Sequence, residues 1–248
     1  MLAALLVVAK FGKFVLLGLT KVKFLGTAGS MLVSVAAYAS IWGWRFGAGF
    51  VVLLFVHEMG HVIQLRREGV KDASAPLFIP FLGALVWAKS LGDDAAAEAR
   101  VGLAGPVLGT IGCLVTAGIY LATGEEFWKA LAFTGFFLNL FNLVPVLPLD
   151  GGRAMAAMAP WMWFLGFGAM VLLLLIAPNP ILILIVLLGG METYRRWKQR
   201  RAGEEGNPAY YRVRPAHRLA VGAVYVGLLV LLGVGMDLTH LERTFSDV

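Results

Sequence analysis

Apolar runs of about 20 residues recur along this chain of 248 residues, and a helix needs this length to cross a bilayer. Hydrophobic residues make up 59% of the chain and charged residues only 15%, whereas ordinary soluble domains carry roughly 25% charged residues. The sequence therefore predicts an all-α polytopic membrane protein with about six transmembrane helices. The runs that favour this interpretation are residues 27–44, 50–67, 100–123, 127–147, 157–176, 180–194 and 219–236.

The distribution of charge divides the chain into four regions. Residues 1–26 are apolar but contain four lysines, which predicts an interfacial amphipathic helix on the cytoplasmic surface, with a tilted first span as the alternative. Residues 27–198 form the predicted transmembrane domain, whose core is 47–153. Residues 199–218 then form a basic cytoplasmic loop, and residues 219–248 form a last span and a tail.

The positive residues indicate an orientation. Eighteen of the 21 Lys and Arg residues fall on one side when the span ends near Arg66, Arg153 and Arg195 are assigned to that side, which is then predicted to be the cytoplasm. The basic residues flank apolar runs and do not form a patch among aromatic side chains. This argues against a nucleic-acid partner despite the net charge of +6. We expect a multi-pass protein of the cell membrane surrounded by a lipid bilayer, and the sequence leaves a homo-oligomer open.

Ionisable side chains interrupt the apolar run from Phe50 to Arg67. Because such groups are costly inside a bilayer, they indicate a functional site. His57 and His61 are four residues apart, so a helix places both imidazoles on one face, and Glu58 lies beside the first. The spacing His-Glu-x-x-His is typical of a divalent metal site, usually zinc, in which the glutamate is the general base.

A catalytic zinc typically has three protein ligands, so the chain should contain a third. The remaining histidines, His217 and His240, are predicted to lie in a basic loop and in the C-terminal tail. Asp150 is the better candidate because it follows an apolar span directly and stands near helix-breaking prolines. Gly151 and Gly152 are expected to let the backbone turn tightly there. Since the histidine helix and the span before Asp150 both run toward the cytoplasm, the metal is predicted inside the membrane near its cytoplasmic face.

Residues 76–89, with the sequence PLFIPFLGALVWAK, break the helical pattern between the second and third core spans. Two prolines and a glycine stand among residues that favour strands, which predicts a short β-like, membrane-associated loop. Such a loop next to an active site would pair with an extended substrate by adding a strand. An interfacial hairpin that only covers the helices is an equally open alternative.

The motifs HEMGH at 57–61, GLAGP at 102–106 and NLVPVLPLDGG at 142–152 together resemble the site-2 protease family, the intramembrane zinc metalloproteases of peptidase family M50. The resemblance covers about residues 27–153. It implies hydrolysis of a peptide bond within or near the transmembrane segment of a membrane-protein substrate, as in regulated intramembrane proteolysis. It also implies one Zn²⁺ ion bound by His57, His61 and Asp150, with Glu58 as catalytic base.

The same resemblance suggests further roles. The family's Asn-Pro-Asp-Gly pattern maps onto Asn142, Pro145, Asp150 and Gly151. It implies that Asn142 holds the substrate or the developing oxyanion, with a hydrogen bond between helices as the alternative. The IPFLGAL segment at 79–85 resembles the family's substrate-presenting loop. Many members carry a PDZ or a CBS module, and this sequence has room for neither, so we expect a compact form of the family.

Two other functions are compatible with the same residues. A non-catalytic membrane transporter or metal-binding protein would use the same His/Asp cluster for ion passage, but Glu58 has no role in a simple carrier. A family member that had become a scaffold would normally lack a ligand or the base, and all are present here. The joint motif therefore favours the protease.

Overall fold

The computed structural model describes residues 26–71, 73–81, 83–86, 88, 92–201 and 209–240. The interfacial helix predicted for residues 1–26 lies outside these ranges except for residue 26, as do parts of the basic loop and of the tail. Helices dominate the described chain. In order, the elements are α1 (Thr27–Trp42), α2 (Trp44–Arg67), β1 (Leu77–Ile79), β2 (Gly83–Leu85), α3 (Ala95–Thr123), α4 (Glu126–Asn142), α5 (Asp150–Met158), α6 (Met162–Ile176), α7 (Pro180–Arg201) and α8 (Pro215–Leu238).

Within the described ranges, three helices are long and apolar enough to cross a membrane, judged by length and composition. They are α2, α3 and α8, while α1 and α6 are apolar but shorter. This agrees with the predicted helical membrane protein. The predicted total of about six spans requires other helices to cross the membrane as well, and this stays a prediction.

Helix α3 lies at the centre of the bundle, where it packs against α2, α4, α5 and α8. Its buried face is rich in small residues, including Gly102, Gly105 and Gly109. Small residues let helix backbones approach closely in a membrane, where apolar side chains alone give no preference for protein over lipid. The close neighbours of α3 carry the polar groups of the candidate site, so this packing determines the geometry of the site.

The β-like loop predicted after the second core span is a hairpin, which confirms this part of the fold prediction. Strands β1 and β2 are antiparallel, with Phe78 opposite Ala84. The N–H of Phe78 donates to Ser30 Oγ of α1, and the N–H of Phe81 in the turn donates to the Tyr38 hydroxyl of the same helix. Polar side chains of α1 therefore accept the hydrogen bonds of these two backbone N–H groups, in β1 and in the turn.

The span predicted for residues 127–147 is shorter in the structure, because α4 already ends at Asn142 and α5 begins at Asp150. Pro145 and Pro148 have no N–H to donate within a helix, so the chain between α4 and α5 forms turns instead. We refer to residues 143–149 as the connecting segment. It places Asp150 at the first position of a new helix rather than at the end of an old one.

Candidate metal centre

Helix α2 supplies two of the predicted ligands. His57 and His61 lie one turn apart and are only 2% and 5% exposed, in a helix whose other buried residues are almost all apolar. The period of the helix alone places both rings on one face. A buried imidazole needs polar partners, since its nitrogens lose their hydrogen bonds to water.

Asp150 supplies the third group. Its Oδ2 atom lies 3.1 Å from His57 Nε2 and 3.3 Å from His61 Nε2, and the two Nε2 atoms are 3.2 Å apart. The Asp150 side chain is also buried. The structure thus brings together the three residues that the sequence suggested as metal ligands, although Asp150 is 93 positions from His57 in the chain.

The spacing of these three atoms suits a zinc ion. Zinc binds His nitrogen and carboxylate oxygen at about 2.0–2.2 Å with tetrahedral angles, which separates two such ligand atoms by about 3.3 Å. The separations in this site, 3.1–3.3 Å, agree with that value. Two imidazoles and one carboxylate are also a donor set that zinc uses in catalytic sites with a position left for water.

The outer ring nitrogens determine the protonation of both imidazoles. His57 Nδ1 lies 2.9 Å from Asn139 Oδ1, and His61 Nδ1 lies 2.8 Å from the carbonyl oxygen of Val101. Both oxygens accept hydrogen bonds, so each Nδ1 carries a proton, and in the neutral imidazole each Nε2 directs a lone pair toward the Asp150 carboxylate. Three electron-rich atoms that meet in a buried space repel one another unless a cation lies among them. This arrangement is the main structural argument for a metal ion.

Asn139 is a site residue that sequence analysis missed. It is 1% exposed, and its Nδ2 donates to Gly135 O at 2.8 Å, which leaves Oδ1 facing His57. The only sequence signal was an amide in an apolar helix, one turn before the residue that the family pattern named. An amide at membrane depth is itself an indication of a polar partner.

Asn142, which the sequence suggested as a catalytic residue, lies one turn further along α4. Its Nδ2 donates to Leu138 O, and it makes no hydrogen bond to the histidines in the part of the chain that the structure describes. The contact that the sequence assigned to Asn142, with a substrate or an oxyanion, therefore stays a prediction. The asparagine that supports the His57 imidazole is Asn139.

Two glycines of α3 make room for the cluster. A methyl group at Gly105 would collide with the Nε2 atoms of both His61 and His57. A methyl group at Gly109 would collide with the Asn139 amide. These glycines are needed for the close approach of side chains from α2 and α4, so the small-residue face of α3 shapes the metal centre as well as the helix packing.

Glu58, the predicted base, is 8% exposed and adjoins His57 in α2. It does not belong to the three-donor cluster. Its carboxylate makes no hydrogen bond and no ion pair with the residues that the structure describes. Because burying an unpaired carboxylate is costly, Glu58 is a candidate functional group of the site.

Neighbouring helices hold the polar backbone of the connecting segment and of the start of α5. The Tyr225 hydroxyl of α8 donates to Leu143 O at 2.6 Å, and Trp163 Nε1 of α6 donates to Gly152 O at 2.7 Å. Irregular backbone at membrane depth is tolerated where protein groups satisfy it in this way. These contacts fix the start of α5, and hence Asp150, relative to the bundle.

The tight turn expected at Gly151 and Gly152 is wrong, because both lie inside helix α5. Their small size serves close packing instead. A methyl group at Gly151 would collide with Leu143 O, and one at Gly152 would lie 2.5 Å from the carbonyl carbon of Val146. The glycines therefore let α5 lie directly against the connecting segment.

Fold and site together define a helical membrane protein in which two histidines and one aspartate form a buried candidate metal site. The family model of peptidase family M50 matches residues 45–125 and 119–164, which include all three candidate ligands and Glu58. The chain belongs to this family, the site-2 protease family.

Proteins with similar sequences come from bacteria and an archaeon. The chain is 33% identical over 141 residues to Rip3 of Mycobacterium tuberculosis, which covers 50% of this chain and 34% of that protein. It is 34% identical over 126 residues to MJ0392 of Methanocaldococcus jannaschii, which covers 45% of this chain and 34% of that protein. It is 31% identical over 121 residues to sll0528 of Synechocystis, which covers 45% of this chain and 31% of that protein. The names of these proteins class them as zinc metalloproteases. The matched part thus spans about a third of the length of these relatives.

Proposed function

We propose that this chain is an intramembrane zinc metalloendopeptidase. It would hydrolyse a peptide bond within or near the transmembrane segment of a membrane-protein substrate, as in regulated intramembrane proteolysis. The observation that carries the proposal is the convergence of His57 Nε2, His61 Nε2 and Asp150 Oδ2 within 3.3 Å of one another, next to the unpaired Glu58. The zinc metalloprotease names of the relatives support it.

A zinc ion bound by this donor set supplies Lewis acidity toward a water molecule and toward a peptide carbonyl. Glu58 accepts a proton from the attacking water as the new C–O bond forms. It then delivers this proton to the amide nitrogen as the C–N bond breaks, which regenerates the carboxylate and releases an amine and a carboxylic acid. Asn139 Oδ1 and Val101 O keep the two imidazoles in the orientation that this chemistry requires.

We assign the presentation of the substrate to the hairpin, specifically to strand β2. The N–H of Phe78 points to Ser30 and away from β2, so Phe78 and its partner Ala84 form a pair without mutual hydrogen bonds. The N–H and C=O of Ala84 then face the outer edge of β2, where an extended substrate can add as a third strand. Strand β2 lies against α2, the helix that carries the histidines. A helical substrate would have to unwind before it could pair there.

The charge distribution supports a proposal for the orientation of the site. We propose that the metal centre opens toward the cytoplasmic side of the cell membrane, because α2 ends at Arg66 and Arg67 ten residues beyond the first histidine. Asn142 is proposed as a substrate-contacting residue from the family pattern.

The replacement Glu58→Gln tests the proposal. The variant should retain about one zinc ion per chain, because Glu58 is not among the three donors, and it should lose cleavage by a factor of at least 10². The measurement compares zinc content by elemental analysis and fragment formation after co-expression with a panel of single-span membrane proteins. Glu126→Gln, at an exposed residue at the start of α4, is the matched control and should cleave normally.

Each result of this experiment has a definite meaning. Cleavage by Glu58→Gln at the wild-type rate would contradict the role of Glu58 as base. The absence of zinc from the wild-type protein, purified without chelators, would contradict the metal site. Zinc transport into vesicles with no fragment from any substrate would favour the carrier over the protease.

A further inference from the structure

A groove of about 460 Å³ lies between α2 and α8, with α3 as its floor. Its inner end is formed by apolar side chains, among them Val107 and Leu108 of α3 and Val224 of α8. Its outer end is formed by Arg67 of α2 and Arg100 of α3, together with Gln64 and His217. The volume is in the range of sites for small organic ligands.

The direction of the helices gives the groove two chemically different ends. Helix α2 runs into the charged end, since Arg67 is its last residue, whereas α3 and α8 start near that end with Arg100 and His217. From Gly60 to Arg67 the groove extends over seven residues, or about 10 Å at 1.5 Å per residue. All three helices therefore become more polar toward the same end, and this is the end assigned to the cytoplasmic side by the charge distribution.

The groove is separate from the metal centre. His57, His61 and Asp150 do not line it. Between the two, α2 and α3 touch so closely at Gly60 that a methyl group there would collide with Ala104 O. An occupant of the groove therefore lies on the opposite side of the α2–α3 contact from the candidate ligands.

The guanidinium groups at the charged end are arranged to receive an anion. Arg100 Nε and Nη2 donate to the two carboxylate oxygens of Glu68 at 2.7 and 2.8 Å, and this bond to Arg100 lowers the pKa of Glu68 below its ordinary value. The fixed Arg100 retains further N–H donors. Arg67 forms no ion pair with any residue that the structure describes, so its charge at the edge of the groove is not neutralised.

We propose that this groove binds an anionic phospholipid, with one acyl chain along the apolar floor and the phosphate at Arg67 and Arg100. An apolar channel that ends in cations matches an amphiphile of this charge, and basic pockets between helices at the cytoplasmic side bind lipids of this class. Exposed apolar side chains, such as those of Ile63 and Val224, line the open side of the groove. The proposal does not depend on the protease assignment.

Native mass spectrometry of the purified full chain in a non-ionic detergent tests the proposal. The probes are phosphatidylglycerol and phosphatidylcholine with identical acyl chains, and glycerophosphoglycerol as the headgroup without chains. The wild type should retain phosphatidylglycerol in preference to the other two. Arg67→Gln should weaken phosphatidylglycerol binding about fivefold, and Arg66→Gln, one residue away and outside the groove, should leave it unchanged.

A second pair of variants tests the acyl-chain end. Val224→Trp fills the groove and should reduce binding of phosphatidylglycerol at least fivefold, whereas Val226→Trp on the same helix should not, because Val226 is outside the groove. Val224 and Val226 are 43% and 56% exposed, so neither change should disturb the core, and thermal unfolding in detergent checks this.

Three outcomes would overturn the proposal. One is equal retention of phosphatidylcholine and phosphatidylglycerol, which would remove the role of the cations. Another is equal binding of glycerophosphoglycerol, which would remove the role of the acyl chain. The third is an equal loss of phosphatidylglycerol binding in Arg67→Gln and Arg66→Gln, or in Val224→Trp and Val226→Trp. Either result would place the lipid elsewhere on the protein.

Discussion

At the scale of single residues, the site depends on which atom of each polar side chain faces which partner. His57 and His61 offer Nε2 to Asp150 because Asn139 and Val101 accept from their Nδ1 atoms. The two asparagines of α4 differ in this respect, although they lie one turn apart in the same helix. Only Asn139 reaches a histidine, so the two residues should have separable functions.

Replacement of Asn139 by Ala should weaken zinc binding 10- to 100-fold, because His57 would lose the acceptor that orients its ring. Asn142→Ala, which removes only a hydrogen bond to Leu138 O, is the control and should bind zinc as the wild type does. The measurement is competition for zinc with a chelator of known affinity. If Asn142 contacts substrate as proposed, Asn142→Ala should still reduce cleavage, so the two variants differ in metal affinity but not in the loss of activity. Equal zinc affinity of Asn139→Ala and the wild type would contradict the supporting role of Asn139.

At the scale of elements, α3 determines whether the groups on α2, α4 and α5 can meet. Its glycines allow the imidazoles and the Asn139 amide to lie against the helix backbone. Gly105→Ala should therefore abolish or strongly reduce zinc binding, since a methyl group would occupy the position of the two Nε2 atoms.

Gly118→Ala in the same helix is the control for this prediction, because a methyl group there meets nothing within 4 Å. It should leave zinc binding intact and stabilise the helix by up to about 1 kcal/mol, as the exchange of Gly for Ala does in a helix interior. Zinc content and thermal unfolding of both variants are measured together. A Gly105→Ala protein with full zinc content would show that the metal lies elsewhere.

At the scale of the whole molecule, a buried ion pair joins the central helix α3 to α7. Glu98 of α3 is fully buried and receives two hydrogen bonds from Arg196 of α7 and one from the Tyr210 hydroxyl, which follows α7. Burial, together with the Glu98 carboxylate, raises the pKa of Tyr210 above its ordinary value, so Tyr210 remains a donor at neutral pH. These contacts attach α7 to the central helix, since the two helices otherwise share few close backbone contacts.

Arg196→Met should destabilise the protein by about 3–5 kcal/mol, because it leaves the Glu98 carboxylate buried without its cationic partner. Arg195→Met, at a residue whose side chain is 65% exposed and pairs with Glu192, should cost less than about 1 kcal/mol. Denaturant unfolding in a mild detergent compares the two variants. Equal stabilities would mean that the Glu98 pair does not hold α7 in place.

The sequence by itself determined the features that depend on neighbours along the chain. Hydropathy and length identify a helical membrane protein, the four-residue spacing places His57 and His61 on one helix face, and prolines and glycines predict the hairpin and a break in the helix before Asp150. In each case the relevant residues lie within a few turns of one another, so the period of the helix or the chemistry of the turn is sufficient.

Only the tertiary structure decided which distant groups meet. The contacts of His57 with Asn139 and Asp150 join residues 82 and 93 positions apart, and they depend on how α4 and α5 are rotated and how closely they approach α3. A rotation of α4 by about 60°, with a shift of about 4.5 Å along its axis, would put Asn142 in the place of Asn139 without changing the hydropathy of the helix. The sequence pattern cannot distinguish these rotations, because in a bilayer both asparagines need a polar partner and only packing decides which partner each one reaches.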